Sequence, residues 1–154
     1  MRIEEGEIET DCAPDRVAYA VVLPEAYDEG EVLPLCLFLH GGTGSHHDLI
    51  GLSSLFEAWF SSGLLPQMVV ACASTGPLDY YLDFPDGSKR WETFIITDFL
   101  AHLRERFSVE ILPSATLIVN VSHAPLSAAG VLPFSRRNTT QAPRAARLLP
   151  SRNG

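Results

Sequence analysis

No aspartate or glutamate follows Glu110, although nineteen acids lie at or before it in a chain of 154 residues. Residues 1–110 hold six lysines and arginines and a net charge of about −13, whereas residues 111–154 hold five arginines, no acid and about +5. A break of that size marks a change in the character of the chain. The overall charge of −8 and pI near 5.0 exclude a nucleic-acid or anionic-membrane partner, because phosphates would be repelled. No apolar run approaches the roughly 18 residues of a membrane span. The first thirty residues lack the basic start and apolar stretch of a secretory signal, so a cytoplasmic protein is expected. The three cysteines, Cys12, Cys36 and Cys72, are an odd and scattered set; Cys36 and Cys72 sit in apolar runs and read as buried free thiols. Neither a Gly-x-Gly-x-x-Gly turn nor a Gly-Lys-Ser/Thr phosphate loop is present. Asp83 and Asp86-Gly87 lack the alternating acids of a calcium loop. No internal repeat is visible.

What is present is a chain that is 46% hydrophobic, enough for one core. Residues 17–23, 35–39, 68–73 and 115–121 are continuous apolar runs. Continuous rather than alternating apolarity predicts strands covered on both faces, as in a mostly parallel sheet. Between them, Leu49, Leu52, Leu55, Phe56, Trp59 and Phe60 recur at helical spacing, with Asp48 as the N-cap and Gly63 as the stop. A second stripe joins Trp91, Ile95, Phe99, Leu100, Leu103 and Phe107, with His102 falling outside it in solvent. Residues 74–90 should be loop. The order β-β-α-β-α-β predicts a three-layer α/β sheet that binds ligands at the carboxyl ends of its strands. Residues 123–154 lack periodicity and are rich in Pro, Ala, Ser and Arg, so they read as an irregular, disordered tail.

Two clusters could carry chemistry. His40-Gly41-Gly42-Thr43-Gly44 follows the buried run 35–39 and precedes a helix. Glycines there allow a sharp turn and leave amides able to face developing negative charge; a strand-to-helix turn without catalytic meaning fits the same spacing. His40, His46, His47 and Asp48 crowd imidazoles and a carboxylate within nine residues, which opens metal-dependent hydrolysis through His40, His46 and His47 as an alternative. The spacing matches no established zinc pattern, and the expected metal ligand set is none.

Residues 17–122 resemble the family of α/β-hydrolases that contains esterase D, S-formylglutathione hydrolase and feruloyl-esterase-like enzymes. The resemblance rests on Leu37-Phe38-Leu39-His40-Gly41-Gly42, Asp79-Tyr80-Tyr81, Trp91-Glu92-Thr93-Phe94 and the helix ending at Arg106-Phe107, in that order. It covers about two-thirds of this chain and the first half of a full enzyme. It implies an N-terminal, partial α/β-hydrolase domain over 1–122, with 123–154 a non-homologous tail. It also implies a serine nucleophile acting on small carboxylic or thioesters, with no metal or organic cofactor. Family-like spacing from Trp91 and Phe107 puts the nucleophile at Ser122, just after the run 116–121. The oxyanion hole falls to the Gly42 and Thr43 amides, and the substrate pocket to His40, Tyr80, Tyr81 and Trp91.

The chain departs from the family at that serine. The expected Gly-x-Ser-x-Gly reads Asn120-Val121-Ser122-His123-Ala124, followed by Pro125, where side chains would crowd the strained turn. The family's acid and histidine follow the nucleophile, yet no acid follows Glu110 and His123 is the only later histidine. A residue adjacent to the serine cannot turn back as its base, so the triad acid and base are absent and the expected chain is catalytically incomplete. The loss of acids and periodicity after Ser122 has the signature of out-of-frame coding sequence. The rival expectation is a non-catalytic pseudo-enzyme or interaction fragment that self-associates through an open sheet edge.

Overall fold

The strands form because their apolar side chains are buried by helices on both sides. The computed structural model describes residues 1–28, 30–110, 116–120 and 131–133. In chain order the elements are β1 (Arg2–Ile8), β2 (Val17–Leu23), β3 (Leu33–Leu39), α1 (His46–Gly51), α2 (Ser53–Ser61), β4 (Val69–Ala73), α3 (Trp91–Phe94), α4 (Leu100–Arg106), β5 (Val109–Glu110), β6 (Thr116–Asn120) and β7 (Val131–Pro133). The sheet runs β1-β2-β4-β3-β6-β7, with the short β5 also pairing with β3. β3 is parallel to β4, β5 and β6, while β1–β2, β2–β4 and β6–β7 are antiparallel. The α/β class is as expected; the sheet is mixed, parallel at its centre and antiparallel towards its margins.

Alternate residues of the strands face opposite sides, and each side has its own core. Val21, Leu23, Leu35, Leu37, Val69 and Ala71 pack with Trp91, Phe94, Phe99 and Leu103. Val22, Cys36, Phe38, Val70 and Cys72 pack with Leu49, Phe56 and Phe60. Burial of a large apolar side chain contributes about 1.5–3 kcal/mol, so these two faces dominate the stability of the fold. Cys36 and Cys72 are free and buried, as expected, and burial pushes both thiols up to about 12.

Four local expectations need correction. Residues 2–8 are a strand, which their charges concealed. The first helix is capped by the Ser45 hydroxyl, which accepts from the His47 N–H, three residues before Asp48. It also breaks at Leu52, which separates α1 from α2. The second helical stretch contains a π-helical segment, Ile95–Phe99, between α3 and α4. That extra residue moves Phe94 into the core, where it is fully buried, and leaves Ile95 only partly covered. His102 is half-buried rather than solvated, with Nε2 2.8 Å from the Tyr19 hydroxyl. Val131–Pro133 pairs antiparallel with β6, and the rest of 123–154 lies outside the described residues.

Candidate functional site

The central strand β3 ends at Leu39, and the chain then turns sharply through His40, Gly41 and Gly42. The turn is closed by Gly44 N–H donating to Gly41 O at 2.9 Å. A Cβ at Gly44 would displace the Asp48 carboxylate and press on His40 Cβ at 3.2 Å.

His40 is 4% exposed. Its Nε2 accepts the Thr75 N–H at 3.1 Å, and a backbone N–H can only donate. The ring proton therefore sits on Nδ1, which donates to Gly41 O at 2.8 Å. The His40 N–H donates to the Tyr81 hydroxyl at 2.9 Å, and the two rings lie 5.3 Å apart. His40 thus ties the glycine turn to the loop after β4 through both ring nitrogens and its own amide. It is a neutral, fully engaged side chain.

That loop is held in an unusual shape. Leu78, Tyr80 and Tyr81 all have positive φ, at 65°, 52° and 56°. Non-glycine residues adopt this region only when surrounding contacts enforce it. Here the enforcing group is Asp79, 7% exposed. Its Oδ2 accepts from Lys89 Nζ at 2.7 Å and from the Trp91 indole N–H at 2.8 Å. Burial tends to raise the Asp79 carboxyl, but the Lys89 and Trp91 hydrogen bonds and the Lys89 charge outweigh it and hold it below the usual carboxylate range. Leu78 N–H donates to Gly42 O at 2.6 Å, fastening the loop back onto the turn.

Turn and loop enclose a cavity of about 190 Å³, lined by His40, Gly41, Gly42, Thr75, Gly76, Leu78, Asp79, Tyr80 and Tyr81. Of the expected pocket residues, His40, Tyr80 and Tyr81 line it. Trp91 does not: its indole is buried in the core and acts on the cavity by holding Asp79. Burial keeps the Tyr81 phenol well above its ordinary range, so it remains a neutral hydrogen-bonding group. Gly42 borders the cavity directly and Thr43 follows it, exposed. Among the described residues the Gly42 amide has no hydrogen-bond acceptor. β6 pairs in parallel with β3, and its last residue, Asn120, stands opposite Leu39. Ser122, two residues further on, lies outside the described residues.

His46 and His47 form a separate group with Glu5 of β1. His46 Nε2 is 3.4 Å and His47 Nε2 is 3.9 Å from Glu5 Oε1. Burial, followed by the neighbouring His47, lowers the His46 pKa, against an opposing pull from Glu5. His40 belongs to the cavity and not to this group. Glu5, Ser74, Thr75 and the Asp79–Lys89 pair escaped the sequence reading. Glu5 could have been found only by recognising residues 2–8 as a strand.

Solved structures share this arrangement of sheet and helices. A ferulic acid esterase is similar at 19% identity with a TM-score of 0.69, over 77% of this chain and 47% of its own. A CE1 ferulic acid esterase from Anaeromyces mucronatus, solved in complex with ferulic acid, has 17% identity and a TM-score of 0.64, over 79% of this chain and 48% of its own. An S-formylglutathione hydrolase from Agrobacterium tumefaciens has 18% identity and a TM-score of 0.60, over 77% and 48%. The fold is that of these structures, in part: the chain spans just under half their length. No family model matches the sequence, and no curated protein does. No helix among the described residues is long and apolar enough to cross a membrane.

Proposed function

We propose that this chain carries the carbonyl-binding half of a serine ester hydrolase site, selecting small carboxylic esters or thioesters, and that it lacks the groups for efficient turnover. The observation that carries the reading is the turn after β3. Gly42 lines a small cavity and its amide has no hydrogen-bond acceptor among the described residues, while β6 ends level with Leu39 on the neighbouring strand. An amide held there is placed to donate to a carbonyl oxygen as negative charge builds on it; a preset donor of this kind contributes about 3–4 kcal/mol to the transition state. The Thr43 amide is the second donor of the oxyanion hole, and Tyr80 and Tyr81 bound the acyl group. Ser122 is the nucleophile position. Its activation requires a base oriented by an acid, and the sequence after Glu110 offers no acid. The names of the similar structures, two ferulic acid esterases and an S-formylglutathione hydrolase, support ester or thioester ligands.

The test is amide NMR of the full chain titrated with phenyl acetate, with p-nitrophenyl acetate turnover measured in parallel. The expected result is saturable shifts centred on Gly42 and Thr43, with turnover indistinguishable from that of Ser122→Ala. Absence of shifts at the turn would overturn the binding site. Rapid turnover lost in Ser122→Ala would overturn the incompleteness.

A further inference from the structure

Glu5, His46 and His47 stand outside the cavity, and nothing in the ester-binding reading uses them. They come together because of register. Glu5 pairs with Ala20, and Ala20 pairs with Cys72, so the three share the sheet face on which α1 lies. Ala20 is fully buried and small, which lets the start of α1 approach the edge strand closely.

The two imidazoles converge against the helix period. Successive residues on an α-helix diverge by about 100°, yet the His46 and His47 ring centroids are 4.0 Å apart. Each ring is turned by a serine hydroxyl. Ser74 Oγ accepts the His46 N–H at 2.9 Å and sits 2.7 Å from His46 Nδ1. Ser45 Oγ accepts the His47 N–H at 3.2 Å and sits 3.2 Å from His47 Nδ1. Both Nδ1 atoms are thereby engaged, and both Nε2 atoms point to the same Glu5 carboxylate oxygen. A hydrogen-bonded second nitrogen that fixes ring tautomer and direction is the usual support of a metal-binding histidine.

The three ligand atoms lie within 4.8 Å of one another, with carboxylate-to-imidazole separations of 3.4 and 3.9 Å. Adjacent ligands on a tetrahedral zinc ion, with bonds of about 2.0–2.1 Å, are about 3.4 Å apart. We infer that Glu5, His46 and His47 form a binding site for a divalent transition-metal ion of zinc's class. Two imidazoles and a single carboxylate favour such an ion over magnesium or calcium, which take oxygen ligands. His46 is mostly buried while Glu5 and His47 are open to solvent, so water completes the coordination from the outer side. The ion would fasten β1 to the start of α1.

The test uses the full chain, stripped with chelator and dialysed, then titrated with Zn²⁺ by calorimetry and with Co²⁺ by visible absorption. The expected result is one ion per chain, tetrahedral cobalt bands and a raised Tm. Glu5→Gln and His47→Gln, both at exposed positions, should each weaken binding at least tenfold while circular dichroism stays unchanged. Ser74→Ala should weaken it about tenfold by releasing the His46 ring, and His123→Gln should leave it as it was. Less than one ion bound, or equal affinity in Glu5→Gln, His47→Gln and the parent chain, would overturn the site.

Discussion

His40 and His46 are two buried histidines six residues apart, on either side of one glycine turn, and their surroundings are opposite in kind. His40 meets chiefly backbone: Gly41 O on one nitrogen and Thr75 N–H on the other, with the Thr75 hydroxyl at a longer 3.4 Å from that second nitrogen. His46 meets side chains: the Ser74 hydroxyl on one nitrogen and the Glu5 carboxylate on the other. A ring whose partners are backbone groups is committed to one tautomer and one position, and serves architecture. A ring whose partners are a hydroxyl and a carboxylate keeps a nitrogen that a proton or a metal ion can claim. The pair shows that burial alone does not mark a chemical histidine; the identity of its partners does.

The contrast can be broken most severely from beneath. Asp79→Ala removes the acceptor of the Lys89 ammonium and the buried Trp91 N–H together, and with it the constraint on the positive-φ loop. The expected loss is about 3–4 kcal/mol in urea denaturation. Next come the histidines themselves. His40→Ala strands the buried Thr75 N–H and opens a void, for about 3 kcal/mol. His46→Ala should lose only about 1 kcal/mol, because Ser74 still accepts the backbone N–H of residue 46. Equal losses would erase the distinction. Tyr81→Phe, which deletes the acceptor of the His40 amide and the hydroxyl's hydrogen bond with the Thr75 side chain, should destabilise by about 1 kcal/mol and weaken phenyl acetate binding at the turn.

The smallest effect concerns pH. Burial first, then the Arg106 charge, lowers the His102 pKa from 6.5, against Glu105. The unfolded chain therefore takes up the proton first. The stability this neutral ring contributes is complete above 6.5 and declines as pH falls from there through the lower folded value. His102→Gln should flatten that decline in denaturation series between about pH 7.5 and about pH 5.5.

How far the sequence could lead follows from what each element buries. β2, β3 and β4 sit between two helical layers, so their apolar runs were legible. β1 is an edge strand whose Arg2, Glu4, Glu5 and Glu7 face outward or the sheet rim, and such a pattern reads as an acidic surface. Missing it hid Glu5 and left the His46–His47 pair with His40 and Asp48 as its visible companions. The π-helical segment escaped because Trp91, Ile95, Phe99, Leu103 and Phe107 fit a regular four-residue spacing; only packing shows that Phe94 replaces Ile95. The glycine turn was legible as a candidate, whereas the Asp79 peg behind it depends on a contact across ten residues of loop.

The most direct measurement is the ring-nitrogen NMR spectrum of the full chain at neutral pH, with and without one equivalent of Zn²⁺. His40 should appear as the Nδ1–H tautomer set by its Thr75 N–H partner and not move, while Nε2 of His46 and His47 shift together. A His40 ring that responds to the ion, or His46 and His47 rings that ignore it, would contradict the division between the two histidines.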